Sequence, residues 1–279
     1  MAIKDILVHV NANAGAGKRV SVACNLAERF EAHVTGLFVI PEPYVPILAE
    51  GTFLPDDFWE NQDKESNAQC AAGKQMFETA TAKSGVANEW RQEQGPLSGT
   101  IVRHARYSDL VIVDRGDRSD PTGALDAIIA ADVIMDSGRP VLVLPEEASG
   151  SAAFSHIVVC WNTSRESIRA VTDSMPILKA ADKVTVLVVN PESWASGDHG
   201  EIAGADIAHA LARHGVTVET ATSSSGGDVG QIILSKAGEL GADLIVTGGY
   251  GHSRTREWVL GGVTNTLLHE TTLPVLMSH

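Results

Sequence analysis

The chain has 279 residues, 44% hydrophobic and 20% charged, a composition typical of a globular protein with one large domain or two ordinary ones. Its formal net charge of −14 at pH 7 argues against nucleic acid or an anionic membrane as a partner, because both attract clustered lysine and arginine. Three irregularly spaced cysteines, and no stretch near the roughly 20 apolar residues that span a bilayer, predict a cytoplasmic protein.

The first half of the chain alternates predicted strands with predicted helices. Apolar, mostly β-branched runs predict strands, and apolar residues at helical spacing predict helices. The predicted strands are 4–11, 33–40, 87–94, 110–113 and 141–144, and the predicted helices are 18–31, 57–83, 97–107 and 125–136. This alternation predicts a parallel sheet with helices on both faces.

An insertion of about 44–65 follows the second predicted strand of this half. Its aromatic residues allow two interpretations, a lid or inter-domain contact and an extended loop that packs on its own domain. The second is favoured because loops usually run over the surface of their own domain. These aromatic residues are Tyr44, Phe53, Phe58 and Trp59.

The second half of the chain repeats the pattern of the first. Four segments recur in the same order, and the last two recur without a gap, since Asp243 to Pro274 and Asp109 to Pro140 are both 31 residues apart. We therefore predict an internal duplication of about 140 residues, with domains 1–147 and 154–279 and a linker 148–153. The matched pairs are 3–11 with 154–162, 33–42 with 183–192, 108–117 with 242–251, and 139–144 with 273–278.

A glycine-rich loop follows the predicted strand 244–246. Gly248 and Gly251 open it, and nine residues later Gly261 and Gly262 precede an amphipathic stretch. Backbone N–H groups of such a loop approach a phosphate closely, and the next helix N-terminus favours an anion. The spacing fits neither the dinucleotide fingerprint nor a Walker A loop. The alternative is a glycine turn that only ends a strand.

The spacing Gly, two residues, Gly, nine residues, Gly resembles the signature of the universal stress protein family, and both copies of the unit take part in the resemblance. It implies two tandem Rossmann-like domains, of the adenine nucleotide alpha hydrolase-like kind, each a five-stranded parallel sheet in the order 3-2-1-4-5. It also implies that ATP or AMP, with Mg²⁺ as an accompanying ion, binds some members at the carboxyl ends of strands 1 and 4, whereas other members bind none.

The resemblance also implies roles for residues of the second unit. Asn162 stands where the family places an Asp for adenine and ribose, and Val189 offers a backbone contact to adenine. Gly262 replaces a Ser or Thr, so a hydroxyl worth about 1–2 kcal/mol to the phosphate is lost unless Ser253 or Thr264 supplies it. The other implied contacts are Thr247, Gly248 and Gly251 to ribose and phosphate, Gly261, Gly262 and Val263 through their N–H groups, and His252 and Arg254 (with Arg256) through charge.

The first unit departs much further from the signature. Asp114, Asp117, Ala127 and Ile128 stand at the four glycine positions, and two carboxylates in a phosphate cradle would repel the ligand. We expect this half to have lost the nucleotide site and to act as the partner in an intramolecular pseudo-dimer, or to bind something else. The copies should pair through 141–144 and 274–277, and two chains could then form a homodimer.

No catalytic residue or metal ligand is predicted, because the sequence lacks HExxH, a GxSxG elbow and a Cys/His cluster at zinc spacing. Three functions remain open. The first is an adenine-nucleotide-binding sensor or regulator in the stress response. The others are a nucleotide-independent interaction module and a slow ATPase or hydrolase.

Overall fold

The computed structural model describes residues 2–41, 57–116, 123–148, 153–193, 202–224, 226–250 and 262–279. Within these ranges ten strands form one sheet, which confirms the predicted α/β architecture. The strands are β1 (Asp5–His9), β2 (His33–Pro41), β3 (Asn88–Gly95), β4 (Leu110–Asp114), β5 (Val141–Leu144), β6 (His156–Cys160), β7 (Lys183–Val189), β8 (Val218–Ser223), β9 (Leu244–Gly248) and β10 (Val275–Ser278). The helices are α1 (Ala16–Phe30), α2 (Phe58–Ser84), α3 (Leu97–Ala105), α4 (Gly123–Asp136), α5 (Arg165–Ala180), α6 (Ala205–Arg213), α7 (Val229–Leu240) and α8 (Gly262–Glu270).

The strand order is β3-β2-β1-β4-β5-β10-β9-β6-β7-β8. Numbered from its own start, each half has the order 3-2-1-4-5. Neighbours within each half are parallel, whereas β5 and β10 are antiparallel, with Leu142 opposite Leu276. This pairing confirms the prediction that the last strands join the two copies.

The sheet separates two hydrophobic layers, each of which runs through both halves. One layer takes side chains from α1, α2, α5 and α6, and the other from α3, α4, α7 and α8. The inner strands are therefore covered on both faces. β5 and residues 110–113 of β4 are continuous apolar runs, and both strands are buried throughout. The edge strands β3 and β8 carry polar, partly exposed side chains, as edge strands commonly do.

Helix α2 differs from its counterpart α6, since it has 27 residues and α6 has nine. Cys70 is its first buried residue, and about three turns of partly or fully exposed residues precede it. These turns belong to the predicted insertion 44–65, of which residues 44–56 lie outside the described residues. The interpretation of 44–56 as a lid or a packed loop stays a prediction.

The junction of β5 and β10 predicts that the two halves unfold together. Leu276→Ala removes a fully buried side chain from this junction and should cost about 2–5 kcal/mol. Calorimetry should show one transition in the natural chain and a single, lower one in the variant. Thr220→Ala, on the exposed edge strand β8, should change the transition temperature little. Two separated transitions in the natural chain would contradict the prediction.

Candidate functional site

The carboxyl ends of β6 and β9 meet where the chain reverses its strand order in the second half. Parallel sheets bind ligands in the crevice at such a point. Asn162 follows β6 by two residues, Val189 ends β7, and Gly248 ends β9. The structure therefore brings these three predicted residues to one edge of the sheet.

Asn162 is exposed and held in a turn that leads into α5. Its Oδ1 accepts a hydrogen bond from the amide of Ser164 at 3.2 Å. The Ser164 hydroxyl in turn accepts from the amide of Ser167, also at 3.2 Å, and caps the helix. The amide side chain of Asn162 is thus fixed at the mouth of the crevice.

Val189 is half-buried at the point where the chain leaves the sheet. The next residue, Asn190, has a positive φ of 51° and donates its amide to the carbonyl of Ser223 at 2.8 Å. The backbone therefore turns sharply at the end of β7. The contact between Val189 and adenine stays a prediction.

Gly248 lies directly against the first turn of α5. A Cβ atom there would come within 2.7 Å of the Glu166 backbone and Cβ and within 2.8 Å of the Ser167 nitrogen. Such distances are too short for any side chain, so a glycine is needed here for close helix packing. This reason is separate from any phosphate contact.

The Thr247 hydroxyl is occupied inside the protein. It donates to the carbonyl of Gly248 at 3.2 Å and also interacts with the Cys160 thiol. Burial raises the pKa of Cys160 to about 12, and the bond to Thr247 opposes this only in part. The thiol is therefore protonated and unreactive at neutral pH.

The glycine loop leaves β9 towards the first half of the chain. A Cβ on Gly249 would lie 3.0 Å from Cγ2 of Ile134 in α4. Tyr250 has a positive φ of 57° and donates its amide to the Thr264 hydroxyl at 3.2 Å. Burial, with the nearby charge of Asp132 as a smaller cause, raises the pKa of Tyr250. Thr264 thus ties the start of the loop to α8, so its hydroxyl is already engaged by the protein.

Helix α8 begins at Gly262, which is exposed. Among the described residues, a Cβ there would meet Oδ2 of Asp228 alone, at 3.6 Å, which is ordinary van der Waals contact. Asp228 caps α7 by accepting from the amide of Gln231 at 2.9 Å, and it also accepts from the Thr266 hydroxyl at 3.2 Å. Val263, next in α8, is half-buried.

Asp228 is the residue that sequence reasoning missed. Its signal was an Asp directly before a helical pattern, which predicts an N-cap but gives no hint that a second helix begins beside it. It places a carboxylate beside the helix end that was expected to hold phosphate. The predicted residues Gly251, His252, Arg254 and Gly261, with Ser253 and Arg256, lie outside the described residues.

The equivalent crevice of the first half is filled by an ion pair. Arg19 reaches from α1 to Asp114 at the end of β4, with 2.6 Å between Nη1 and Oδ2, and the two side chains are only 1% and 3% exposed. Arg19 also donates to Asn11 Oδ1 at 2.5 Å, to Asn13 Oδ1 at 3.1 Å and to the His9 carbonyl at 3.3 Å.

The expectation that the Asp114 carboxylate repels phosphate is therefore wrong in its reason, because the guanidinium neutralises that charge. The buried Arg19–Asp114 pair itself occupies this edge of the sheet. Asp117, the second carboxylate of the expectation, lies outside the described residues. Ala127 is buried in α4, and Ile128 is exposed on it.

The two crevices carry their glycine at opposite positions. Asn11 and Asn162 each follow the first strand of their half by two residues, so Gly15 corresponds to Glu166, four residues further on in each half. In the first half a glycine at the helix start faces Asp114, with 3.9 Å between a Cβ on Gly15 and Oδ2. In the second half Glu166 faces Gly248. The glycine is therefore at the helix start in the first half and at the end of the fourth strand in the second.

His9 lies beneath this ion pair and is fully buried. Burial, and secondly the charge of Arg19, lower the pKa of His9 from 6.5 to about 3, while Asp114 acts in the opposite direction. The imidazole is therefore neutral in the folded protein at every pH of physiological interest.

Within the described ranges, no group of three or more His, Cys, Asp or Glu side chains is placed to hold a metal ion. Among the helices of the described ranges, none is long and apolar enough to cross a membrane.

Comparisons with known proteins identify the repeated unit. A sequence model of the universal stress protein family matches residues 2–145 and again residues 153–279. A search of curated proteins finds no match. Among solved structures, a universal stress protein from Archaeoglobus fulgidus is 16% identical, with 98% of this chain and 95% of that chain covered and a TM-score of 0.74. A protein of unknown function from Pseudomonas aeruginosa is 14% identical, with 99% and 92% covered and a TM-score of 0.58. At such identities the structural likeness shows the fold.

The buried His9 makes stability depend on pH. The unfolded chain takes up a proton near pH 6.5 and the folded chain only near pH 3, so stability is complete above 6.5 and is lost as the pH falls below it. Between pH 6 and 4, the free energy of unfolding of the natural chain should fall by about 1.4 kcal/mol per pH unit more than that of His9→Leu. Urea unfolding at several pH values measures this difference, and parallel profiles for the two proteins would contradict it.

The Arg19–Asp114 pair predicts a second effect on stability. Arg19→Met leaves a buried carboxylate without its counter-charge and should cost about 3–5 kcal/mol. Adding Asp114→Asn removes that charge, so the double variant should be more stable than the single one. Chemical denaturation of the three proteins tests the prediction, which fails if the second substitution brings no recovery.

Proposed function

The chain belongs to the universal stress protein family, and we propose that its C-terminal half binds an adenine nucleotide, ATP or AMP, as a cytoplasmic sensor or regulator in the stress response. The observation that carries the proposal is the placement of Gly248 and Gly262. They flank one glycine loop, the first at the end of β9 and the second at the exposed start of α8.

The start of α8 supports binding of the phosphate end. The first N–H groups of a helix have no partner within it, and the helix dipole adds partial positive charge there. Gly262 and Val263 stand at this end, and Gly262 is exposed. An anion bound there would accept hydrogen bonds from these backbone groups.

The difference between the two halves supports the C-terminal half as the one that binds the nucleotide. Arg19 and Asp114 occupy the first crevice. In the second half Ala170 stands at the position of Arg19, since each lies eight residues after Asn162 or Asn11, and Gly248 stands at the position of Asp114. These small residues introduce no ion pair into the second crevice. We therefore expect one nucleotide per chain.

Asp228 modifies the proposal. Its carboxylate lies beside Gly262, so it disfavours an approaching phosphate through like-charge repulsion. A divalent cation shared between phosphate and carboxylate would reverse this effect, and we expect Mg²⁺ to strengthen binding. Without Mg²⁺, Asp228→Asn should also strengthen nucleotide binding, because it removes the repelling charge. Asn still caps α7, so the helix should stay intact.

A nucleotide-independent interaction module is the second candidate. It is favoured by the missing hydroxyl at Gly262 together with the burial of Thr264, which is only 4% exposed. A slow ATPase stays a third prediction, which release of ADP in the same samples would reveal.

Calorimetric titration of the full chain with ATP and AMP, with and without Mg²⁺, tests the function. Gly262→Ser should bind about 5- to 30-fold more tightly, the equivalent of the 1–2 kcal/mol of a hydroxyl bond to phosphate. Gly238→Ser is the matched control, because that glycine lies in another helix, α7, and no atom of the described residues comes within 4 Å of its Cβ position.

Binding by the natural chain below millimolar concentration supports the nucleotide function. Binding by Gly262→Ser alone would assign the natural protein to the interaction modules. An equal gain in Gly238→Ser would remove Gly262 from the site.

A further inference from the structure

We propose that Arg115, in the N-terminal half, is a positioning residue for the nucleotide site of the C-terminal half. It holds α8 by its C-terminal end, whereas the ligand is expected at the N-terminal end. The role of the nucleotide in this inference rests on the proposed function, but the contacts of Arg115 do not.

Arg115 joins three parts of the molecule. It follows β4 directly, and its amide donates to the carbonyl of Leu144 in β5 at 3.1 Å. Its side chain, which is 1% exposed, crosses to the other half, where Nη1 donates to the His269 carbonyl at 3.3 Å. Nη2 donates to the two carboxylate oxygens of Glu147, in the connection between the halves, at 3.0 and 3.2 Å.

The position of the guanidinium suits the end of a helix. The last carbonyls of a helix have no partner within it and carry the negative end of its dipole, so a cation there is stabilising. His269 is in the last turn of α8, a helix of nine residues. Glu147 balances the buried charge. Arg115 therefore fixes where α8 ends.

The other end of α8 is fixed through the loop. The Thr264 hydroxyl accepts from the amide of Tyr250, and the loop at Gly249 lies against Ile134 in α4 of the first half. Helices α4 and α8 also pack on each other. The N-terminal half thus supports the loop and the helix that flank the proposed phosphate site.

The duplicated position after the fourth strand differs between the halves, so the first half supports α8 through an arginine that the second half lacks there. Arg115 and Gly249 are equivalent, since each directly follows the fourth strand of its half. In the first half the position carries a long cation that reaches α8, and in the second half it carries a glycine that lets α4 approach.

Hydrogen exchange of the ligand-free full chain tests the helix contact. In Arg115→Met the amides of 266–271 should exchange about tenfold faster, while those of 231–240 in α7 keep their rate. Arg115→Lys keeps the charge and should restore most of the protection. Should the Met variant not fold, Arg115→Gln, which also removes the charge, takes its place. Arg139→Met is the matched control, because Arg139 donates to one carbonyl, that of Arg106, within its own half.

Nucleotide titration of the same variants tests the positioning. Affinity should fall threefold or more in Arg115→Met and stay unchanged in Arg139→Met. Unchanged exchange in 266–271, acceleration spread equally over α7, or equal nucleotide affinity would each overturn the proposal. If the natural chain binds no nucleotide, the proposed function fails, and the exchange pattern alone decides whether Arg115 positions α8.

Discussion

The antiparallel pairing of β5 with β10 is the constraint on which the rest of the structure depends. Each half presents the same last strand, so joining them gives a local two-fold arrangement of the kind found in symmetric dimers. The pairing merges two five-stranded sheets and extends both hydrophobic layers across the junction. It also places α4 beside α8, so each half lies against the helix that follows the fourth strand of the other.

Duplication gave the chain two equivalent crevices, and the two have diverged in opposite directions. In the first, Arg19 and Asp114 form a buried ion pair that occupies the space and depends on both partners. In the second, the equivalent positions carry Ala170 and Gly248, and Glu166 lies against Gly248. The pair in the first half thus closes one crevice while the half around it continues to support the other through Arg115 and α4.

Several predicted site residues have a structural reason that their residue type did not reveal. Gly248 is needed because α5 comes too close for a side chain, and Thr264 is used to tie Tyr250 to α8. Neither reason excludes a ligand contact, since both residues lie at the crevice. Asp228 and Arg115 escaped sequence reasoning because Gly262 is 34 residues from Asp228 and His269 is 154 residues from Arg115, so only folding brings each pair together.

The sequence by itself determined the α/β class, the duplication, the pairing of the last strands and the family, because apolar periodicity and glycine spacing are local properties that repeat. The glycine loop as a candidate site, and Gly262 within it, were also predicted from it. Only the tertiary structure decided that Arg19 neutralises Asp114, that Asp228 lies beside Gly262 and that Arg115 reaches α8. Charge pairing depends on distance in space, and strand and helix patterns say nothing about which distant side chains a crossover brings within 3 or 4 Å.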